Sequence, residues 1–305
     1  MISILIPVFN ANCTQLVKQL QTQCELTGLV YEIIIADDAS TNLEIKLANS
    51  ALASIKNVQY IELTNNIGRS AIRNYLASIA KQAYLLFIDD DMALIDDEFV
   101  KRYANVMESD EVIYGGLVYP TYYKETALLR ETFGNEREIK SLADRLKSPT
   151  QNIATCNLVV KKSVFDAIKF DESIKQYGWE DNLFALQLAQ KGVKIAHINN
   201  PLLHTGIESN EVYLAKTIIA CKTLASLVKS EKYKLELQSI KLYRAYQTLA
   251  KFNLIGLFCI CFKIIKKGIE NHLSAKQPNL IFFDLWKLYQ LALALNSNHT
   301  SVNSQ

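Results

Sequence analysis

Tyr84-Leu85-Leu86-Phe87-Ile88-Asp89-Asp90-Asp91 sets five apolar residues directly against three carboxylates. An apolar run this short, with no polar alternation, marks a strand buried on both faces. The aspartates fall where that strand ends. Three adjacent carboxylates repel one another unless a cation offsets them. A hard divalent ion, Mg²⁺ or Mn²⁺, suits oxygen ligands and also bridges to phosphate oxygens. A solvated acidic loop is the plainer alternative, because D-x-D taken singly is a common pattern.

Working outward, the chain repeats the same plan on the N-terminal side. Ile2–Ile6 reads as a buried strand that stops at Pro7-Val8-Phe9-Asn10. A helix over 14–27 follows, with Leu16, Val17, Leu20 and Cys24 on one face. Tyr31–Ala36 is a second strand, broken by Asp37-Asp38-Ala39-Ser40, and a helix over about 42–54 leads to a third strand, Val58–Leu63. Asn66-Ile67-Gly68 starts a helix running through Ala80. Strand and helix alternating at this spacing predict a mostly parallel, Rossmann-like sheet with helices on both faces. Polar clusters follow three of the strands, at the edge where open α/β sheets bind ligands. Each cluster alone is equally well read as turn and cap chemistry.

Downstream the pattern loosens. Glu111–Tyr114, Ala154–Val160 and Lys194–Ile198 read as strands, Phe184–Gln190 as a helix closed by Gly192, and residues 121–150 as a polar, aromatic, mobile excursion. Gly178-Trp179-Glu180-Asp181 precedes that helix, where an Asp is most often an N-cap. His204, one of four histidines, follows the last strand. From about 212 the chain reads as helices, with Leu214, Ile218, Cys221, Leu224, Leu227 and Val228 on one face. The resulting division is 1–211, a helical basic and apolar region 212–295, and a disordered tail 296–305.

Composition narrows the class. The 305 residues are 50% hydrophobic and 21% charged, with 10 Gly and 5 Pro, which excludes collagen-like and disordered chains. The net charge of +2 gives no reason to expect nucleic acid as a partner. It hides an asymmetry: residues 216–305 hold 13 Lys and Arg against 4 Asp and Glu. A basic tail hints at an anionic partner such as a membrane surface. Six scattered cysteines with no C-x-x-C pair suit reduced thiols, and hence a cytoplasmic location. Neither a secretory signal nor a run of about 18 apolar residues is present. Lys251, Lys263, Lys266 and Lys267 flank the apolar Leu254–Phe262, and Phe282, Phe283, Leu285, Trp286 and Tyr289 form a second apolar group. These suit either an interfacial membrane helix or helices packed as core or as a dimer contact.

In order, Pro7-Val8-Phe9-Asn10, Asp37-Asp38-Ala39-Ser40, Asn66-Ile67-Gly68 with Ala71-Ile72-Arg73-Asn74, Asp89-Asp90-Asp91, Cys156-Asn157, Gly178-Trp179-Glu180-Asp181 and His204 resemble a family 2 glycosyltransferase of the GT-A fold. Members with a G-W-x-E-D signature are the most similar. The resemblance covers about residues 1–210 and implies a C-terminal helical extension outside it. It implies that Pro7, Val8, Asn10, Asp38, Asn66, Arg73, Asp89 and Asp90 hold a nucleotide-sugar, with Asp38 on the uracil. It further implies that Asp91 and His204 bind Mn²⁺ or Mg²⁺, that Asp181 is the general base, and that Asn157, Trp179 and Glu180 shape the donor-sugar and acceptor site. Two departures stand out. Ala39 replaces the family's usual glycine, and Gly-Trp is followed directly by Glu-Asp, without the extra residue some relatives carry.

The implied activity is transfer of a sugar, from a UDP-sugar by preference, to a glycan or lipid-linked saccharide in cell-surface polysaccharide synthesis. The implied place is the inner face of the plasma membrane, through a peripheral contact over 216–295, and self-association is also open to such a chain. A sugar-nucleotide nucleotidyltransferase is the runner-up, but it would need a glycine-rich basic loop after the first strand, where this chain has Pro-Val-Phe-Asn-Ala-Asn. A dinucleotide oxidoreductase lacks its G-x-G-x-x-G. A non-catalytic sugar-nucleotide-binding subunit is the remaining alternative.

Overall fold

The computed structural model describes residues 1–120, 128–150 and 153–296. The tail expected to be disordered lies, beyond Asn296, outside the described residues. The described residues form ten strands: β1 (Ile2–Val8), β2 (Tyr31–Asp37), β3 (Val58–Glu62), β4 (Tyr84–Phe87), β5 (Met92–Ala93), β6 (Val112–Tyr114), β7 (Leu117–Val118), β8 (Leu158–Lys161), β9 (Ile195–His197) and β10 (Leu202–His204). The helices are α1 (Thr14–Thr27), α2 (Leu43–Ser50), α3 (Arg69–Ile79), α4 (Phe99–Ala104), α5 (Leu129–Phe133), α6 (Leu142–Lys147), α7 (Lys162–Ile168), α8 (Glu180–Gln190), α9 (Asn210–Ser230), α10 (Lys234–Leu237), α11 (Lys241–Lys251), α12 (Ile255–Leu273) and α13 (Leu280–Asn296).

The described residues fall into two compact units. The first takes in 1–120, 137–150, 153–175 and 180–206, and the second 128–136, 176–179 and 207–296. In the first unit a seven-stranded sheet runs β3-β2-β1-β4-β8-β6-β9. β3, β2, β1 and β4 are mutually parallel, β8 is antiparallel to both β4 and β6, and β6 is parallel to β9. β5, β10 and β7 form a small second sheet. The fold is the mostly parallel α/β arrangement expected, with one reversed strand.

Strand parity explains the layering. Leu5, Ile34, Ala36, Leu85 and Phe87 join Ile72 and Leu76 of α3, Phe165 of α7 and Phe184 and Leu188 of α8 in one buried cluster. The alternate residues Ile4, Ile6, Ile33, Ile35 and Leu86 are equally buried. Side chains two apart share a face, so both faces of the sheet are covered. Leu16, Val17 and Leu20 of α1 are fully buried, as the helical spacing predicts.

Two expectations change. The stretch read as a mobile excursion contains α5 and α6, and Arg145 of α6 is buried with its guanidinium on the carbonyls of Gly115 and Ile198. Its alternating charges disguised one arginine turned inward; residues 121–127 lie outside the described part. The strand read over Ala154–Val160 starts only at Leu158: Thr155–Asn157 is a turn of 3₁₀ helix entering β8, with the Thr155 hydroxyl on Asp181 and the Asn157 amide on the Asn200 carbonyl.

The second unit is helical. Leu129, Tyr213, Phe262, Leu273, Phe283 and Trp286 build its core. Of the second apolar group, for which both a membrane face and a packed core were open, Phe283, Trp286 and Tyr289 are buried there, whereas Phe282 and Leu285 are exposed.

Candidate active site

The three aspartates after β4 solve their mutual repulsion in three different ways. Asp89 takes Arg73 Nη2 of α3 on Oδ1 at 2.6 Å, and Arg69 Nη2 lies 3.5 Å from its Oδ2. Burial alone would raise the Asp89 carboxyl, but the two guanidiniums hold it below its ordinary value. Arg73 is itself 2% exposed. Asp90 accepts the Phe9 amide at 3.0 Å from the loop after β1. Burial pushes its carboxyl up to about 7, with Asp91 and Asp89 adding to the effect. Asp91 faces His204 of β10, Oδ2 to Nε2 at 3.6 Å, and its carboxyl too is raised by burial, against the pull of His204.

The pairing of β5 with β10 sets Met92 beside His204, which brings Asp91 and His204 together from positions 113 residues apart. Tyr119, just past β7, stacks on the imidazole at 5.2 Å and 12°, and its hydroxyl is hydrogen-bonded to Glu138. The chain leaving β10 must pass the carboxylate closely: a Cβ on Gly206 would lie 2.4 Å from Asp91 Oδ2. A side chain at 206 would displace that carboxylate.

Glu180 and Asp181 open α8, at the helix end that favours negative side chains. Glu180 is buried and takes Arg69 Nε at 2.9 Å. Burial raises its carboxyl, offset in part by Arg69. Arg69 therefore ties the helix carboxylate to the strand-end aspartate. Asp181 accepts from the Thr155 hydroxyl at 2.7 Å and from its amide at 3.2 Å. It lies in the first turn of the helix rather than at the N-cap.

The remaining sequence-selected residues divide sharply. Asp38 accepts the Ile67 and Gly68 amides at 2.7 and 3.1 Å, and Asn66 donates to the Asp38 carbonyl at 3.0 Å, so both fasten the loop before α3 to the end of β2. Asn10, at φ 54°, accepts from the Thr41 and Asn42 amides and locks the β1 loop to the β2 loop. The Val8 carbonyl accepts the Asp38 amide at 2.8 Å, and Pro7 pairs with Ala36 in the β1–β2 register. Ala39 keeps a left-handed backbone, φ 61°, the conformation glycine adopts most readily.

Asn157 is not gathered into the cluster of aspartates. It is fully buried, donates to the Gly116 and Asn200 carbonyls, and accepts from the Tyr103 hydroxyl. Gly115 is required beside it, since a Cβ there would fall 2.5 Å from the Asn157 amide nitrogen. Trp179 belongs to the second unit, where its indole donates to the Ala220 carbonyl at 2.8 Å.

Sequence reasoning missed Arg69, Thr155 and Tyr119. Arg69 had a signal, one helical turn before Arg73 on the same face. Thr155 and Tyr119 had none, because their partners are remote in sequence.

No group of three or more His, Cys, Asp or Glu side chains among the described residues can hold a metal ion alone. The residues do fit an ion shared with a ligand. Asp91 and His204 face each other without a strong protein partner for either, and His204 Nδ1 is buried with no hydrogen-bond partner. One carboxylate and one imidazole leave most of the coordination sphere to phosphate oxygens and water, as Mg²⁺ sites commonly do.

The glycosyl transferase family 2 model matches residues 3–169, more than half of the chain. The teichoic acid poly(glycerol phosphate) polymerase of Staphylococcus epidermidis is 24% identical over 224 residues, covering 70% of this chain and 29% of that one. The UDP-Glc:alpha-D-GlcNAc-diphosphoundecaprenol beta-1,3-glucosyltransferase WfaP of Escherichia coli is 28% identical over 202 residues, 65% of this chain and 74% of that one. The chain spans less than a third of the polymerase's length. Among solved structures, the mannosyltransferase PcManGT of Pyrobaculum calidifontis, in complex with GDP-Man and Mn²⁺, superposes with a TM-score of 0.57 at 11% identity, covering 96% of this chain and 86% of that one. TarS 1-349 of S. aureus, in complex with UDP-GlcNAc, gives 0.51 at 15% identity, with 97% and 90% covered. At these identities the likeness is one of fold, the GT-A type. The chain belongs to glycosyl transferase family 2.

Proposed function

We propose that the chain is a metal-dependent, inverting glycosyltransferase that moves a sugar from a nucleotide-sugar, a UDP-sugar by preference, to a hydroxyl of a glycan or lipid-linked saccharide in cell-surface polysaccharide synthesis. The observation that carries this reading is the Asp91–His204 pair beside an arginine-linked set of carboxylates, Asp89, Glu180 and, next in the chain, Asp181. The family membership supports the reaction class. The diphosphate-linked acceptor named for WfaP supports a lipid-linked substrate.

In this reading Asp91 and His204 hold Mn²⁺ or Mg²⁺, which when bound neutralises charge developing on the diphosphate leaving group. Arg73 and Arg69 keep Asp89 ionised and aligned while the donor is bound. Phe9, exposed at the end of β1, offers an aromatic surface at the nucleotide end, beside the loops that Asp38, Asn66 and Asn10 brace. The acceptor oxygen attacks the anomeric carbon, the bond to the diphosphate oxygen breaks, and an α-linked donor gives a β-linked product. Asp181, steadied by two hydrogen bonds from Thr155, takes the acceptor's proton. Asn157, buried on the Gly116 and Asn200 carbonyls and the Tyr103 hydroxyl, braces the chain that enters β8. Domain limits of 1–211 and 212–295 are proposed for the catalytic and helical parts.

A thermal-shift screen with Mn²⁺ and a panel of UDP-, GDP- and dTDP-sugars tests the reading. A UDP-sugar that raises the midpoint only with Mn²⁺ present is the expected result. No shift with any nucleotide-sugar would overturn it.

A further inference from the structure

The helix pair α11 and α12 turns through 115° at Phe252–Leu254, with Asn253 at φ 57°. The bend presents apolar side chains to solvent. Phe252 is 64% exposed, and along α12 Leu257, Ile260 and Ile264 are 59%, 65% and 80% exposed. Their spacing of three and four residues makes one continuous stripe. The opposite side of the same helix, Phe262, Ile269 and Leu273, is buried in the core of the second unit. This helix therefore has two apolar faces, and the described residues of its own unit cover only one.

The charges beside the open stripe say what covers it. Residues 241–273 carry six Lys or Arg against one acidic residue, Glu270, which is paired with Lys266 at 3.1 Å. Lys263 and Lys267 are exposed on α12, and Lys267 lies one turn beyond Ile264 and two turns beyond Ile260, on the rim of the stripe. No single helix among the described residues is long and apolar enough to cross a membrane. Insertion of the bent pair as a re-entrant loop would draw Lys263 and Lys267 into hydrocarbon, at a cost no partner there offsets. An apolar stripe rimmed by lysines lies flat instead, with its side chains below the headgroups and its ammonium groups among phosphates.

We propose that the Phe252 bend and the α12 stripe dock the protein on an anionic lipid surface, with Lys263 and Lys267 reading the headgroup phosphates. The surface is independent of the donor site, so it can stand or fall without the glycosyltransferase reading.

The test is co-sedimentation of the full chain with phosphatidylglycerol-containing vesicles and with pure phosphatidylcholine vesicles, at low and high salt. Binding is expected to the anionic vesicles, falling severalfold in high salt. Ile264→Glu and Lys263→Gln/Lys267→Gln should each reduce it by about tenfold or more. Circular dichroism melts and Mn²⁺-dependent nucleotide binding of these variants should match the parent, which separates lost docking from lost folding. Equal recovery in the supernatant with and without vesicles would overturn the proposal. So would equal binding to neutral vesicles, or a concentration-dependent dimer in sedimentation velocity that Ile264→Glu dissolves while vesicle binding is unchanged, which would assign the stripe to a second copy of the chain.

Discussion

Replacing Arg73 with Met tests how the acidic strand end is held. Arg73 is 2% exposed and its partner Asp89 is 18% exposed, at 2.6 Å. Methionine fills most of the volume but leaves the carboxylate facing the protein interior. Breaking a buried pair from one side costs about 3–5 kcal/mol. Arg69 remains 3.5 Å from the other oxygen, and Asp89 keeps some water contact, so the lower end applies, about 3 kcal/mol. At about 2–4 °C per kcal/mol for a chain of this size, the midpoint falls by about 6–12 °C. The assay is thermal and urea unfolding without nucleotide or metal. Adding Asp89→Leu should recover most of the loss, since a pair replaced from both sides is close to neutral. A loss below about 1 kcal/mol would refute the reasoning, because the pair would then behave as a solvated surface pair.

Asp181→Asn keeps an oxygen for Thr155 but cannot take a proton, so turnover should fall at least ~10²-fold with donor affinity unchanged; equal turnover would reduce Asp181 to a residue of the helix's first turn. Ala39→Gly relieves a left-handed alanine and should stabilise the fold by about 0.5–1 kcal/mol after the extra freedom of the unfolded chain is counted; a less stable variant would show that the loop already absorbs the strain. His197 presents Nε2 to the Pro149 carbonyl at 2.9 Å, so Nε2 carries the proton, and Nδ1 faces Arg145. Burial lowers its imidazole below the ordinary value of 6.5, so the unfolded chain binds the extra proton first. Stability should therefore fall as pH drops through about 6.5 and level off below the folded value, and His197→Gln should flatten that slope; an unchanged slope would assign it to other groups.

The sheet was legible because β1, β2 and β4 are apolar runs with polar stops, and such strands need both faces covered. Asp91, Arg73 and Glu180 were legible through local motifs. Their pairings were not: Arg69 meets Glu180 across 111 positions, and Asp91 meets His204 only because β5 and β10 pair. Asn157 shows the opposite failure. Its place in a motif suggested the donor sugar, yet three buried hydrogen bonds and the absent side chain of Gly115 make it an interior brace. On α12 the sequence offered an apolar run, Leu254–Phe262, that left both a membrane and a core reading open. Folding buries one face of that helix, Phe262, Ile269 and Leu273, and leaves Leu257, Ile260 and Ile264 exposed, a division that packing against α13 decides and local periodicity does not.

Isothermal titration of UDP into the protein, with Mn²⁺ and with EDTA, reads out the metal role of Asp91 and His204 without needing the acceptor. Binding should require Mn²⁺ in the parent and be lost in both Asp91→Ala and His204→Ala, each of which stays folded because neither belongs to a hydrophobic cluster. UDP binding of equal strength in EDTA, or undiminished Mn²⁺-dependent binding in both variants, would contradict that role.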